Sequence, residues 1–314
     1  MVRIAAVGEV MVELSPFPTQ ENDKQLLSLS FAGDTYNTSV YLARLGLHTA
    51  YVTNLGNDHY SQQIIHNMSS ENIHTDMVQQ FSGRSPGLYT IRNTENGERE
   101  FFYWRNEAPA KQLFSTAESA ESLFETLREY DWVYLSGITL AIITPQAREN
   151  LFAILKKLRS EKTIVVFDSN YRPRLWNDKK CAQETMLAMM QHTDIALLTL
   201  DDESQLWGDE TISGCKQRYD HCHLREIILK RGAQDTVIIN EGAQSTIPVP
   251  PVLDVIDTTG AGDSFNAGYL AARLQGADAE DAVRAGNRCA SIIIRHRGAV
   301  IPKNIFIQEW KNNF

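Results

Sequence analysis

Short apolar runs recur along this chain, separated by longer segments in which apolar residues return at helical spacing. Val2 to Val7 reads as a buried strand, Asp34 to Leu45 as a helix stopped by Gly46, His48 to Leu55 as the next strand and Asp58 to Ser69 as another helix. The alternation resumes with apolar strands at Trp132–Ser136, Thr163–Asp168, Ile195–Thr199, Glu226–Lys230 and Thr236–Asn240, between helical stretches such as Pro145–Arg159 and Cys181–Gln191. This order predicts an α/β fold, a doubly wound, mostly parallel central sheet with helices on both faces. Two pieces break the pattern. Met11–Phe31 and Gly87–Arg105 carry extra strands, the second pair flanking Thr94-Glu-Asn-Gly97 as a hairpin turn would. They read either as a small β-sheet lid or as an edge of the main sheet.

Composition adds limits. No linker, repeat or low-complexity segment interrupts the chain, so residues 1–314 are expected to form a single domain with lid segments inserted near 11–31 and 87–105. A hydrophobic share of 43% supports a sizeable core. The net charge of −9 and the scatter of Lys and Arg argue against nucleic acid, which needs a basic stripe. The run Ile4–Val7 is broken at once by Gly8-Glu9, and no segment approaches the ~20 apolar residues of a membrane span, so neither a signal peptide nor a membrane partner is expected and the cytoplasm is the expected location. Asn37-Thr-Ser39 and Asn67-Met-Ser69 are sequons without a secretory route. Cys181, Cys215, Cys222 and Cys289 lack CxxC spacing, and Cys215 with His221, Cys222 and His223 matches no common zinc set.

The candidate chemistry centres on Asp257-Thr-Thr-Gly-Ala-Gly-Asp-Ser-Phe-Asn-Ala-Gly-Tyr269. Gly260, Ala261 and Gly262 open a helix whose first N–H groups suit an anion, and Asp263 stands in its first turn. A carboxylate beside a phosphate is repulsive unless a substrate hydroxyl lies between them and needs a proton acceptor. By itself the segment fits either an ordinary helix start charged by Asp263 or phosphoryl transfer to an alcohol. A Walker loop is excluded because no lysine follows the glycines, and a dinucleotide fingerprint because Phe265 stands where a third glycine is needed.

The same segment closely resembles the signature of the phosphofructokinase-B (ribokinase-like) sugar kinases. An earlier glycine motif of that family is matched by Ala32-Gly33-Asp34-Thr-Tyr-Asn37, with Ala32 replacing its first glycine. The resemblance covers nearly the whole chain and implies a ribokinase-like fold, ATP as phosphate donor and Mg2+ carried with it. It also implies a homo-oligomer joined through the lid.

On the lid, Tyr103 and Arg105 share one face of their strand and Tyr89 lies on the neighbouring one, while Phe102 and Trp104 face the other way, toward solvent-side helices or a partner. An arginine fork binds a carboxylate bidentately and phenols complete such a site without adding charge. Phe167-Asp-Ser-Asn-Tyr-Arg172 follows a strand, which places Asp168, Asn170 and Arg172 at the ligand crevice. These runs, with Gly8-Glu9-Val-Met-Val-Glu13, resemble the family branch whose substrate is the acid 2-keto-3-deoxygluconate. The resemblance implies substrate contacts from Gly33, Asp34, Asn37, Tyr89, Tyr103, Arg105, Asn170, Arg172 and Asp263, with Asp263 as base and Gly260, Ala261 and Gly262 stabilising the transferred charge. It implies nucleotide contacts from Asn170, Arg172, Thr199, Lys230, Gly232, Gly260, Ala261, Gly262 and Asn287, with Gly298-Ala299 closing the adenine pocket. Thr199-Leu-Asp-Asp202 departs from the family's Asn-x-x-Glu, leaving Asp202 or Glu203 to influence the metal indirectly. The expected activity is ATP-dependent phosphorylation of a sugar acid at its 6-hydroxyl. A kinase for a neutral ketose such as fructose and a non-catalytic sugar or nucleotide sensor are the alternatives.

Overall fold

The computed structural model describes residues 2–21, 24–93, 99–208, 211–240 and 242–312. A ten-stranded central sheet runs in the order Ala243–Ile247, Gln234–Asn240, Glu226–Arg231, Ile195–Thr199, Ile164–Asp168, Trp132–Ser136, Arg3–Val7, His48–Gly56 and Ile73–His74, with Val78–Phe81 also pairing with His48–Gly56. From Glu226–Arg231 onward every pairing is parallel. The period-two alternation of strand side chains then divides the core. Ala5, Val7, Val133, Leu135, Val165 and Phe167 face one layer, built with Phe124, Leu151, Leu155 and Met186. Ile4, Ala6, Tyr134, Val166, Leu197 and Ile228 face the other, built with Val40, Ile64, Leu270 and Ile292. Strands covered on both faces must be apolar throughout, which is why they are legible as continuous hydrophobic runs.

The far edge of the sheet corrects the expected pattern. Glu226–Arg231 and Gln234–Asn240 are antiparallel, as are Gln234–Asn240 and Ala243–Ile247. A parallel crossover needs a dozen or more residues, and the few residues between the first two leave room only for a turn, which Gly232 makes at φ 59°. The last strand, Ala-Gln-Ser-Thr-Ile, is a largely exposed polar edge without a hydrophobic signal.

The lid is a separate four-stranded sheet ordered Lys24–Ala32, Met11–Glu21, Leu88–Asn93 and Arg99–Trp104, so it is not an edge of the main one. The turn expected at Thr94–Gly97 lies outside the described residues. Cross-strand register aligns Ser30, Glu13, Tyr89 and Tyr103 in one row, and Leu29, Leu14, Thr90 and Phe102 in the next. Adjacent rows face opposite ways. The first row, polar and aromatic, belongs to the inner face. On the outer face Leu27, Leu29, Phe102 and Trp104 are all exposed, Trp104 to 61%, so they do not pack on solvent-side helices.

Candidate active site

The carboxyl ends of the parallel strands meet the lid at one rim, and polar residues take over there. Arg3–Val7 leads into Gly8-Glu9, and the next strands end in Ser136, Asp168 and Thr199, with Lys230 near the end of Glu226–Arg231. The helix Asp34–Arg44 starts at Gly33, where a Cβ would lie 2.1 Å from the Glu9 carbonyl oxygen, so glycine alone permits the approach. From this helix the Asn37 amide donates to Asp263 Oδ2 at 2.8 Å and the Thr38 hydroxyl donates to the Asp263 carbonyl at 3.1 Å. The two glycine motifs, far apart in sequence, are thereby joined.

Asp263 stands in the first turn of the helix Ala261–Leu274, whose N-cap Gly260 is left-handed at φ 74°. A side chain at Gly260 would also meet the Ala299 backbone at 2.8 Å. Gly262 is different. It is exposed, and the nearest atom to a Cβ there is Lys230 Nζ at 3.8 Å, so the helix N-terminus opens onto a space with an ammonium at its edge. Of the amides expected to face an anion, that of Ala261 is engaged by the Thr258 carbonyl at 3.2 Å. Asp257 braces the preceding turn by accepting from the Thr259 and Gly298 amides at 2.9 and 2.8 Å.

Half-buried Asp263 has its pKa pushed up to about 7 by burial and by the Asp34 carboxylate, with the Asn37 hydrogen bond and Lys230 pulling the other way. Burial likewise raises Asp34, which accepts from Asn170 at 2.6 Å. Asn170 reaches it from a positive φ of 29°, a backbone state that asparagine tolerates better than most residues. The buried Lys230 ammonium is held by Asp168 at 3.3 Å and Asn266 at 2.9 Å. A proton acceptor with a pKa near neutrality, an open helix N-terminus and a fixed cation thus share one rim. They form the constellation that transfer of an anionic group to a hydroxyl requires.

The pfkB family of carbohydrate kinases matches residues 1–305. The chain belongs to this family. It is 44% identical over 309 residues to the 2-dehydro-3-deoxygluconokinase of Escherichia coli K12, spanning 96% of this chain and 97% of that protein. It is 40% identical over 307 residues to the enzyme of the same name from Dickeya dadantii, spanning 95% and 96%. Among solved structures, the fructokinase of Xylella fastidiosa with bound ATP superposes with a TM-score of 0.82 at 19% identity, covering 99% of this chain and 98% of that one. At that identity the likeness shows the fold alone, the ribokinase-like architecture of the pfkB kinases.

Within this pfkB kinase, the structure separates residues that the sequence left together. Asp202 accepts from the Tyr171 amide at 3.2 Å and pairs with the half-exposed Arg172 at 3.6 Å. Burial raises its pKa to about 6, with Arg172 and Lys230 opposing that shift and Asp168 adding to it, so it faces the rim. Glu203 does not. It is buried against Arg218 at 2.8 Å and the Tyr219 hydroxyl, in the opposite layer of helices. Thr199 lies beside Lys230 in register, and Gly232 makes the turn beyond it. Asn287 accepts weakly from Thr236 at 3.4 Å, while its buried amide nitrogen has no acceptor among the described residues. Gly298 and Ala299 lie beneath the Gly260 turn, Ala299 accepting from Tyr41 at 2.7 Å.

The lid residues are more committed than their spacing suggests. The Tyr89 hydroxyl donates to Glu13, which also accepts from Ser30 at 2.9 Å. Arg105 lies just beyond its strand and forms a buried ion pair with Glu9. Its guanidinium carbon is 5.7 Å from the ring centre of half-exposed Tyr103, which keeps the two on one face. Glu9 and Glu13 belong to the opening run Gly8 to Glu13, yet no spacing rule reveals that they pair with Arg105 and Tyr89. Asn266, inside the glycine-rich segment, and Tyr134, inside a core strand, carry no signal of a role in the sequence because each is flanked by residues that read as core.

Proposed function

We propose that the chain is an ATP-dependent sugar-acid kinase that phosphorylates 2-dehydro-3-deoxygluconate, also called 2-keto-3-deoxygluconate, at its 6-hydroxyl. The observation that carries the chemistry is Asp263, poised with a pKa of about 7 in the first turn of an open helix beside Gly262 and Lys230. Asp263 accepts the hydroxyl proton as that oxygen bonds to the γ-phosphorus of ATP, and the bond from phosphorus to the ADP oxygen breaks in line. The Gly262 turn and Lys230 stabilise the charge on the moving group. Fit to a nucleotide is supported by the space before Gly262 and by the buried amide of Asn287, unsatisfied among the described residues and a ready donor to a purine. The sugar acid is supported by the names of the full-length relatives and by two arginines, Arg172 and Arg105, near the same rim. Gly33, Asp34, Asn37, Asn170, Tyr89 and Tyr103 would line the sugar. The reading places the enzyme in the cytoplasm, where ATP is supplied; among the described residues no helix is long and apolar enough to cross a membrane.

Bound Mg2+ would supply charge neutralisation on the phosphates, keeping most of its waters. Asp202, which faces the rim beside Arg172, would hold those waters. Asp202→Asn is therefore expected to raise the Mg2+ concentration for half-maximal rate several-fold, whereas Glu203→Gln should leave it unchanged. An unaltered Mg2+ requirement in Asp202→Asn removes that role.

The exposed outer face of the lid, with Leu27, Leu29, Phe102 and Trp104, supports association with a second copy. Light scattering should give a dimer or larger for the wild type and a shift toward monomer for Trp104→Glu; a monomeric wild type contradicts this. The enzyme assignment itself is tested by an ADP-release screen across sugars and sugar acids, where silence on every compound would favour a sensor.

A further inference from the structure

Beneath the rim, the side chain of Asn266 closes a polar triangle inside an otherwise apolar layer. It is fully buried, three residues after Asp263 on the same helix. Its amide nitrogen donates to Asp168 Oδ2 at 2.8 Å and to the Tyr134 hydroxyl at 3.1 Å, and its carbonyl oxygen accepts from Lys230 Nζ at 2.9 Å. Lys230 in turn reaches Asp168 Oδ1 at 3.3 Å. One amide thus ties the helix that carries Asp263 to three strands, Trp132–Ser136, Ile164–Asp168 and Glu226–Arg231. Both hydrogens and the oxygen of the amide are used, which fixes its orientation.

Helix packing alone does not need this arrangement. A leucine would fill the volume, and a buried polar group is retained only where all its bonds are made. The use that fits is placement of charge. Lys230 has three donor hydrogens and a flexible stem, so two anchors are the least that will hold its ammonium at one spot. That spot lies 3.8 Å from where a Cβ of Gly262 would be, at the edge of the space before the helix N-terminus.

We propose that Asn266 is a positioning residue that fixes the Lys230 ammonium relative to Asp263, so that base and phosphate-facing cation move as one unit with the helix. The inference rests on the kinase reading above. It assigns Asn266 no contact with substrate. The groups that act on Asp263 are Asp34 and Asp168, which disfavour its ionisation, and Asn37 and Lys230, which favour it. Loosening Lys230 weakens one of the two favourable partners and leaves Asp168 less compensated.

The test compares Asn266→Ala with Asn266→Leu, which fills the volume but makes no bond to Lys230, Asp168 or Tyr134. In both, kcat is expected to fall ~10- to 100-fold, the scale of a misplacement of about 1 Å, with KM for the sugar acid changed less than about threefold. The Asp263 carboxyl, followed by 13C NMR and assigned with Asp263→Asn, should titrate at least about half a unit higher in either variant than in the wild type. A residue that only supports the fold would lower the melting temperature without moving that titration. An unchanged Asp263 titration in a folded variant overturns the proposal, and the NMR measurement is informative whether or not turnover is seen. Wild-type silence in the ADP assay would sink the kinase reading alone.

Discussion

Asp263→Asn is expected to lower kcat by ~10²-fold or more while leaving KM for the sugar acid within a few-fold of the wild type, because the amide keeps the shape but cannot accept the proton. The pH dependence sharpens this expectation. With Asp263 pushed up to about 7 by burial and neighbouring Asp34, the wild-type kcat/KM should rise with pH through an acid limb near 7. The same shift has a stability consequence of opposite sense. A carboxylate whose pKa is raised on folding favours the protein at acid pH, and that contribution disappears as pH climbs from the unfolded value through about 7. At pH 8 the variant should therefore melt at or above the wild-type temperature, and its advantage should narrow at pH 5 and vanish only below the unfolded value of 3.8. Melting curves at the two pH values, alongside steady-state rates, check both parts. Near-normal turnover in Asp263→Asn would remove this residue from the role of base.

The second large effect concerns Arg105. Arg105→Met should raise KM for the sugar acid by ~10- to 150-fold, the equivalent of ~1.5–3 kcal/mol for a charge-assisted hydrogen bond, and should change KM for ATP little. The buried pair with Glu9 adds a complication that the sequence did not announce. Removing the arginine leaves a buried carboxylate uncompensated, a change that costs about 3–5 kcal/mol in stability. Burial already raises the Glu9 pKa, with Arg105 as the main opposing influence. Glu9→Gln/Arg105→Met should accordingly recover much of the lost melting temperature but none of the lost acid binding. A neutral sugar, if accepted, should be indifferent to the arginine. If acid and neutral substrates weaken alike in both variants, Arg105 supports the lid and does not read a carboxylate.

The layered sheet was legible because its parallel strands are covered on both faces and must be largely apolar until they reach the rim. Trp132–Ser136 and Ile195–Thr199 were bounded without error on that signal. Ala243–Ile247 had no such signal, since an exposed edge strand is under no pressure to be hydrophobic. At the site, glycines and charged residues in loops stood out by type, as Gly33, Gly260 and Asp263 did. Partnerships were less visible. Glu203 and Asp202 are adjacent in sequence, but successive helical positions point about 100° apart, so one faces Arg218 and Tyr219 while the other faces the rim. The bonds between Asn37 and Asp263, or Asn266 and Asp168, span 226 and 98 positions, and only the fold brings such residues together.

The central claim is that this site transfers phosphate from ATP to a sugar acid in preference to a neutral sugar. Its most direct test is the ratio of kcat/KM for 2-dehydro-3-deoxygluconate to that for fructose, measured by ADP release with the phosphorylated position assigned by 31P–1H NMR. The account predicts a ratio above about 10², as loss of a charged partner implies, and a phosphate ester on the 6-oxygen. Equal or greater efficiency with fructose would contradict it.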